Sequence, residues 1–273
     1  MEWYDKFEII DTHCHIFPQK IAAKASQSIG EFYNINMTYE GSYEGILNSN
    51  DVKASKYLVC SSATTYEQVG SINDFLAAVC RENPEFIGFG ALHPDMSNIK
   101  DEIKRMQEIG IKGIKLHPDF MKFYLDEPKA YKMFEAIGDK MPILIHTGDN
   151  RYEYSKPKRM ARVLHDIQEL TVIGAHFGGY RCWDEVVQVY DGLSNIYFDT
   201  SSSLFRLDID AAKALINHFG IERFFFGTDY PMWTRRGELE NLKRLELCDS
   251  DYRKLLADNF KAFFKKTCRD ELL

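Results

Sequence analysis

The chain has 273 residues, of which 45% are hydrophobic and 27% are charged, a balance typical of a folded globular protein. The formal net charge of −7 disfavours a broad basic surface for nucleic acid. No run reaches the roughly 18 apolar residues of a membrane-spanning helix, and the acidic opening MEWYDKFEII does not resemble a signal peptide.

Eight short apolar runs rich in β-formers follow one another along the chain. Near-continuous apolar character is typical of parallel strands that are covered on both faces. The predicted strands cover residues 7–13, 56–62, 86–92, 111–117, 141–147, 170–176, 195–201 and 223–229.

Amphipathic segments separate these runs and are predicted to be helices. The clearest cover residues 97–110, 127–140, 154–169, 208–220 and 249–266. Strand and helix alternate at the spacing of a strand–loop–helix–loop unit, so we predict a single (β/α)8 TIM barrel over residues 1–273. A doubly wound open sheet is the structural alternative.

One connection is longer than the others. Residues 16–55, between the first two predicted strands, are rich in aromatic and polar residues. Long connections in compact domains often carry function, so this segment is expected to form a lid or substrate loop at the barrel mouth. The alternative is a helix followed by an irregular connection.

Six cysteines are scattered along the chain without a C-x-x-C pair. This pattern, without a secretory signal, predicts reduced thiols and a cytoplasmic protein. Cys14 lies between His13 and His15 in the sequence DTHCH. Alternate residues of a strand face the same side, so both imidazoles can reach one metal ion while the thiol points away.

Polar residues also end three other predicted strands, at His146, His176 and Asp229. Active sites of TIM barrels lie at the carboxyl ends of the strands, where such side chains would converge. Any one of these histidines alone would more often be structural, but the set as a whole predicts a metal site.

The motifs GIKLHP, IHTG, HFGG, YFDTS and GTDYP, together with the opening His-x-His, resemble the amidohydrolase superfamily. They are most similar to its amidohydrolase-2 branch, which includes aminocarboxymuconate-semialdehyde decarboxylase. The resemblance implies that His13, His15, His146 and Asp229 bind one divalent metal ion, with zinc expected and a second metal left open. It also implies that Asp229 takes a proton from metal-activated water and that His176 polarises the substrate or shuttles protons.

Further side chains are expected to bind the substrate. Lys115 and His117 share a face of the fourth strand, and Arg181 and Trp233 lie in later loops. For Lys115 three roles stay open: a cation that binds a substrate carboxylate, a carboxylated bridging ligand, or a structural ammonium. Several arginines that follow strands five to eight favour an anionic substrate. Asp199 is expected to orient a neighbour or to brace the barrel mouth rather than to bind metal.

The expected function is metal-dependent hydrolysis of a small, anionic amide, ester or lactone. The alternative is nonoxidative decarboxylation of a small unsaturated or aromatic acid at the same site. A TatD-like nuclease is disfavoured because its strand-four glutamate is missing here, and a structural metal site would favour cysteine ligands. The expected partner is a small molecule, not nucleic acid or a membrane, and a homo-oligomer is left open.

Overall fold

The computed structural model describes residues 2–268; Met1 and residues 269–273, the two ends of the predicted domain, lie outside the described residues. Eight parallel strands form one sheet in chain order, and this confirms the predicted TIM barrel. The strands are β1 (Ile10–His15), β2 (Lys56–Cys60), β3 (Phe86–Ala91), β4 (Gly113–Leu116), β5 (Ile143–Ile145), β6 (Val172–Gly174), β7 (Ile196–Asp199) and β8 (Phe224–Phe225).

Backbone hydrogen bonds between β1 and the chain that follows β8 close the barrel. The amide of Thr12 donates to the carbonyl of Phe226 at 2.9 Å, and the amide of Asp229 donates to the carbonyl of His13 at 2.8 Å. The closure therefore fixes Asp229 beside the histidines of β1.

Helices cover the outside of the barrel. They are α1 (Gln19–Tyr33), α2 (Tyr43–Asn48), α3 (Val69–Glu82), α4 (Ile99–Glu108), α5 (Pro118–Met121), α6 (Pro128–Ile137), α7 (Pro157–Asp166), α8 (Trp183–Tyr190), α9 (Ile209–Phe219), α10 (Arg235–Lys243), α11 (Asp249–Arg253) and α12 (Asn259–Cys268). Pro128 and Pro157 occupy the first position of α6 and α7, where proline is favoured because its missing N–H is not needed. The predicted helix 249–266 is divided, since a π-helical segment, Lys254–Asp258, separates α11 from α12.

The later strands are shorter than predicted. The predicted strands 141–147 and 170–176 shrink to Ile143–Ile145 and Val172–Gly174. His146 and His176 consequently lie in the loops just beyond the strands, where the backbone is free to depart from the regular pleat.

The core has two layers. Side chains such as Leu58, Phe89 and Phe225 fill the barrel interior, and α12 covers the amino-terminal end with Phe260 and Phe263. A larger cluster packs between the strands and the surrounding helices. Burying a large apolar side chain contributes roughly 1.5–3 kcal/mol. Apolar side chains thus fill the amino-terminal half of the barrel, and the polar strand-end residues lie at its carboxyl end.

The long connection after β1 contains α1 and α2 and is tied to the barrel mouth. The amide of Tyr39 donates to the carbonyl of Pro231 at 3.1 Å, and the guanidinium of Arg151 donates to the carbonyl of Phe32 at 2.6 Å. The segment therefore lies over the barrel mouth, as expected, and its opening as a lid stays a prediction. Within residues 2–268, none of the helices combines the length and the apolarity that crossing a bilayer would require.

Candidate active site

The end of β1 directs two imidazoles into the barrel mouth. The pairing of β1 with β2 shifts register between Asp11 and Cys14, which indicates a bulge, a feature that often redirects side chains near active sites. Nε2 of His13 and Nε2 of His15 lie 3.2 Å apart. Cys14 instead packs in the layer between strands and helices, on the side expected from the alternation.

Asp229 completes a triangle of donor atoms with these histidines. Its Oδ1 lies 3.4 Å from Nε2 of His13 and 3.3 Å from Nε2 of His15. Three tetrahedral ligands at about 2.0–2.1 Å from a metal ion are separated by roughly 3.3–3.4 Å. The three atoms therefore have the spacing of one face of a tetrahedral metal site. We call them the donor triangle.

Asp199 selects the tautomer of His13. Oδ2 of Asp199 lies 2.9 Å from Nδ1 of His13, so Nδ1 carries the proton and Nε2 presents its lone pair to the donor triangle. Oδ1 of Asp199 accepts hydrogen bonds from the amides of His176 and Ser201, each at 3.0 Å, and from the Ser201 hydroxyl at 2.5 Å. Burial, together with the nearby Lys115 ammonium, lowers the pKa of His13 to about 4. His13 is therefore neutral at physiological pH, as a ligand must be.

Lys115 places a buried ammonium beside the donor triangle. Its Nζ lies 2.8 Å from Nε2 of His13, and the residue is 1% exposed. Burial lowers the pKa of this lysine. Because Nδ1 of His13 carries the proton, Nε2 of His13 is the acceptor of a hydrogen bond from Nζ of Lys115.

His146 and His176 form a second imidazole pair. Nδ1 of His176 lies 3.0 Å from the carbonyl oxygen of Ser201, which can only accept, so Nδ1 carries the proton. Nε2 of His176 then accepts from Nδ1 of His146 at 3.0 Å. Nε2 of His146 is consequently an unprotonated, buried nitrogen without a hydrogen-bond partner. Such an atom suits a metal ligand.

The backbone is strained at both predicted catalytic residues. His176 and Asp229 each have a φ of 61°, a region that residues with a side chain rarely adopt. Such conformations cost about 1–3 kcal/mol and cluster at functional sites. Gly178 follows with a φ of 77°, and a Cβ there would lie 2.7 Å from the Phe198 ring. The turn after His176 therefore needs glycine.

Ser202 and Trp233 hold the second oxygen of Asp229. The hydroxyl of Ser202 donates to Oδ2 at 2.6 Å, and the indole N–H of Trp233 donates to the same hydroxyl at 2.8 Å. Although burial opposes ionisation, His13 and the other imidazoles around Asp229 hold its pKa well below the usual range. Asp229 is therefore an oriented, ionised carboxylate.

His117 and Tyr33 form the wall above the second imidazole pair. Nε2 of His117 lies 2.8 Å from the hydroxyl of Tyr33, and the rings of His117 and His146 stack with centroids 4.1 Å apart. Tyr33 belongs to α1, so this contact joins the covering helix to the site.

A narrow cavity, with a volume of about 20 Å³, lies among these groups. Its lining comprises His15, Ile29, Tyr33, Met37, Lys115, His117, Phe120, His146, His176, Asp229, Pro231 and Met232. Two of the predicted substrate-binding residues, Lys115 and His117, thus face the cavity. Arg181 and Trp233 are not among the described residues that line this cavity, and the indole N–H of Trp233 donates to the Ser202 hydroxyl.

The arginines after strands five to eight are not concentrated at the cavity. Arg151 pairs with Asp149 at 2.7 Å, and Arg235 is buried with its guanidinium 3.8 Å from the carboxylate of Asp11. The positive charge next to the donor triangle comes from Lys115 instead. The anionic substrate stays a prediction, which now rests on Lys115 rather than on the arginines.

The sequence did not single out several residues that contact the site. Tyr33 and Ser202 are examples, and Asp119 is a third: it is buried, and its Oδ2 lies 3.6 Å from Nε2 of His146. Burial raises the pKa of Asp119 to about 7. Its place in LHPDF, two residues after His117, was the available indication.

The family model described as Amidohydrolase matches residues 10–266. This chain belongs to the amidohydrolase family. No curated protein matches this family member.

Solved structures share its fold. An uncharacterized TIM-barrel protein from Bordetella bronchiseptica has a TM-score of 0.79 at 20% identity and covers 96% of this chain and 99% of its own. A dihydroxybenzoic acid decarboxylase from Polaromonas, solved with manganese and 2-nitroresorcinol, has a TM-score of 0.66 at 13% identity, with 95% and 97% covered. A putative 2-pyrone-4,6-dicarboxylic acid hydrolase from Pseudomonas putida has a TM-score of 0.64 at 18% identity, with 94% and 97% covered. Other similar structures are decarboxylases of carboxyvanillate and dihydroxybenzoate.

Proposed function

We propose that this amidohydrolase family member is a metal-dependent nonoxidative decarboxylase of a small aromatic or unsaturated carboxylic acid. The observation that carries the proposal is the donor triangle beside the buried Lys115 ammonium. The similar structures of carboxyvanillate and dihydroxybenzoate decarboxylases support it.

The donor set suits a divalent cation. His13, His15 and Asp229 would hold it, and the unpartnered Nε2 of His146 makes this residue the proposed fourth ligand. Imidazole and carboxylate accept several first-row ions, so zinc and the manganese of the Polaromonas enzyme are both candidates. Such an ion would supply Lewis-acid stabilisation to oxygens of the substrate.

Lys115 would bind the carboxylate of the substrate. An ammonium that is almost completely buried interacts strongly with an anion, because little water screens the pair. In the decarboxylation the bond between carbon and carboxylate breaks, its electron pair stays on the substrate carbon, and CO₂ leaves. The carboxylate must therefore be held while the carbon accepts a proton.

The imidazole pair would supply that proton. His176 and His146 share a hydrogen bond of 3.0 Å, and His176 is also bound to the Ser201 carbonyl. The reaction consumes one proton, which would come from solvent; taken up at Nε2 of His176 in place of the hydrogen bond from His146, it would lie in the same cavity as Lys115. We propose His176 as the acid that protonates the substrate carbon.

Hydrolysis of a lactone or ester is the second candidate, favoured by the similarity to the putative pyrone hydrolase. In that reaction Asp229 would take a proton from water. Its Oδ1 belongs to the donor triangle and its Oδ2 already accepts from Ser202, which leaves Asp229 less capacity as a base. This engagement favours decarboxylation.

The test follows the fate of a labelled carboxylate. The protein is loaded with Mn²⁺ or Zn²⁺ and incubated with hydroxybenzoates and unsaturated acids that carry ¹³C in the carboxylate, alongside a panel of lactones. We expect ¹³CO₂ that depends on metal and is lost in Asp229→Asn. The matched control is Asp149→Asn, which changes a buried carboxylate that pairs with Arg151. Ring-opened lactones without any CO₂ from the acids would overturn the proposal in favour of hydrolysis.

A further inference from the structure

A large groove lies between α1 and α3 at the barrel mouth. Its volume is about 770 Å³. Its apolar walls include Phe17, Ile21, Phe32, Ile72 and Phe75. We call it the α1–α3 groove.

The α1–α3 groove adjoins the catalytic cavity. His15, Ile29 and Phe120 line both spaces. Because His15 belongs to the donor triangle, the groove ends at the proposed metal site. A molecule bound in the groove would thus have one end at the reacting centre.

The polar side chains of the groove describe an amphipathic ligand. Hydroxyls of Ser61, Ser62 and Thr64 accompany the apolar walls, and the exposed Lys20 and Lys122 supply the cations. Among the described residues that line it, Asp119 alone is a carboxylate. On a chain with a net charge of −7, such a lining favours an anionic ligand with an apolar body.

The apolar wall is left open to water on the α1 side. Ile21 is 45% exposed although it lines the groove. Covering such a surface with an apolar group is favourable by roughly 25 cal/mol per Å². Apolar surface of this kind, next to a reactive centre, is typical of ligand-binding grooves.

We propose that the α1–α3 groove binds the apolar body of the substrate, so that the preferred substrates are carboxylic acids with an extended aryl or alkyl group. This inference rests on the proposed function, since it places the carboxylate of the acid at the donor triangle beside Lys115. A small acid without this body would reach the donor triangle without contacting the apolar walls of the groove.

The test measures binding along a homologous series. Dissociation constants of benzoate, 4-butylbenzoate and 4-octylbenzoate for the Mn²⁺-loaded protein are measured by calorimetry below the micelle concentration. Each buried methylene should tighten binding about two- to fourfold, so that the octyl compound binds at least about 100-fold more tightly than benzoate.

Two variants locate the effect. Ile72→Asp places a charge in the groove wall and should reduce the advantage of the octyl compound at least tenfold, while benzoate binds as before. Ile21→Asp, at an exposed position that tolerates charge, should act in the same direction. The matched control is Phe205→Asp, since Phe205 is also exposed, at 37%, but lines neither space.

The possible outcomes distinguish a failure of the groove proposal from a failure of the proposed function. Equal binding of all three acids would overturn the groove and leave the carboxylate site intact. A chain-length effect that Phe205→Asp reduces as much as Ile72→Asp also overturns it, because binding would then be unspecific. If octanol binds and Ile72→Asp weakens it while no acid binds, the groove holds apolar ligands and the proposed function fails. Binding of neither class overturns both.

Discussion

Exchanging Asp199 for asparagine should force His13 into the wrong tautomer. Three donors converge on Oδ1 of Asp199, so the carbonyl oxygen of the asparagine must occupy that place. Its NH₂ group then faces Nδ1 of His13, where Oδ2 now accepts at 2.9 Å. Nδ1 becomes an acceptor, the proton moves to Nε2, and this nitrogen can no longer bind a metal ion.

The size of the effect follows from the hydrogen bonds involved. A hydrogen bond to a charged group contributes about 1.5–3 kcal/mol, which corresponds to roughly 10- to 150-fold in a binding constant. Changes in groups that orient a metal-binding histidine cost about 10–100-fold in metal affinity. The tautomer change also removes the acceptor for Lys115. We therefore expect Asp199→Asn to weaken Zn²⁺ binding about 100-fold.

Competition against a chromogenic chelator measures the dissociation constant, and ¹⁵N NMR of the metal-free protein reports the tautomer of His13 directly. The matched control is again Asp149→Asn, which should keep the wild-type affinity within about twofold. Circular dichroism and the melting temperature verify that both variants fold.

A folded Asp199→Asn protein that binds Zn²⁺ within threefold of wild type would refute this reasoning. So would an Nδ1-protonated His13 in the variant, because the amide would then have turned against its three donors.

The remaining predictions concern the same site and one distant carboxyl group. His13→Ala and Asp229→Asn should abolish turnover and metal binding while the barrel stays folded. His176→Ala should instead reduce kcat, with a metal content near wild type as measured by atomic emission. Equal metal loss in all three variants would make His176 a ligand. Ser202→Ala removes the hydrogen bond to Asp229 and should lower kcat about tenfold or more with metal retained; unchanged kcat would assign that contact a packing role. Burial raises the pKa of Glu238 from 4.5 to about 8, so the folded state retains a proton that the unfolded state releases, and stability falls as pH rises from about 4.5 to 8. Glu238→Gln should therefore stabilise the protein by roughly 2–4 kcal/mol at pH 8.5 and little at pH 4, and equal melting-temperature gains at both pH values would contradict this.

Periodicity and strand-end chemistry were enough to predict the barrel and the convergence of four imidazoles and a carboxylate. The histidines of β1 could be placed because alternation in a strand is a local property. The bulge between Asp11 and Cys14 and the left-handed backbone at His176 and Asp229 could not, since tertiary contacts impose both.

The arginines show why the substrate contacts were harder to predict. Loop position places a residue near the mouth but does not determine the direction of its side chain. Arg235 follows β8 and still turns into the protein toward Asp11, while Arg151 lies over the ring of Phe32 at 4.7 Å. Tyr33 could not be predicted as a site residue because it contacts His117 from α1, 84 positions away in the sequence.

In the proposed function, His13, His15 and Asp229 bind the metal ion and His176 transfers the proton, with His146 between the two groups. His13, with its Nδ1 bound to Asp199, presents a lone pair, whereas His176, with its Nδ1 bound to the Ser201 carbonyl, accepts from His146. Both arrangements start from the end of β7, which supplies Asp199, and from the loop that follows it, which supplies Ser201. This strand end and its loop thus set the tautomers in both groups. Changes in this loop should therefore affect metal affinity and proton transfer together, even where no residue of the donor triangle is altered.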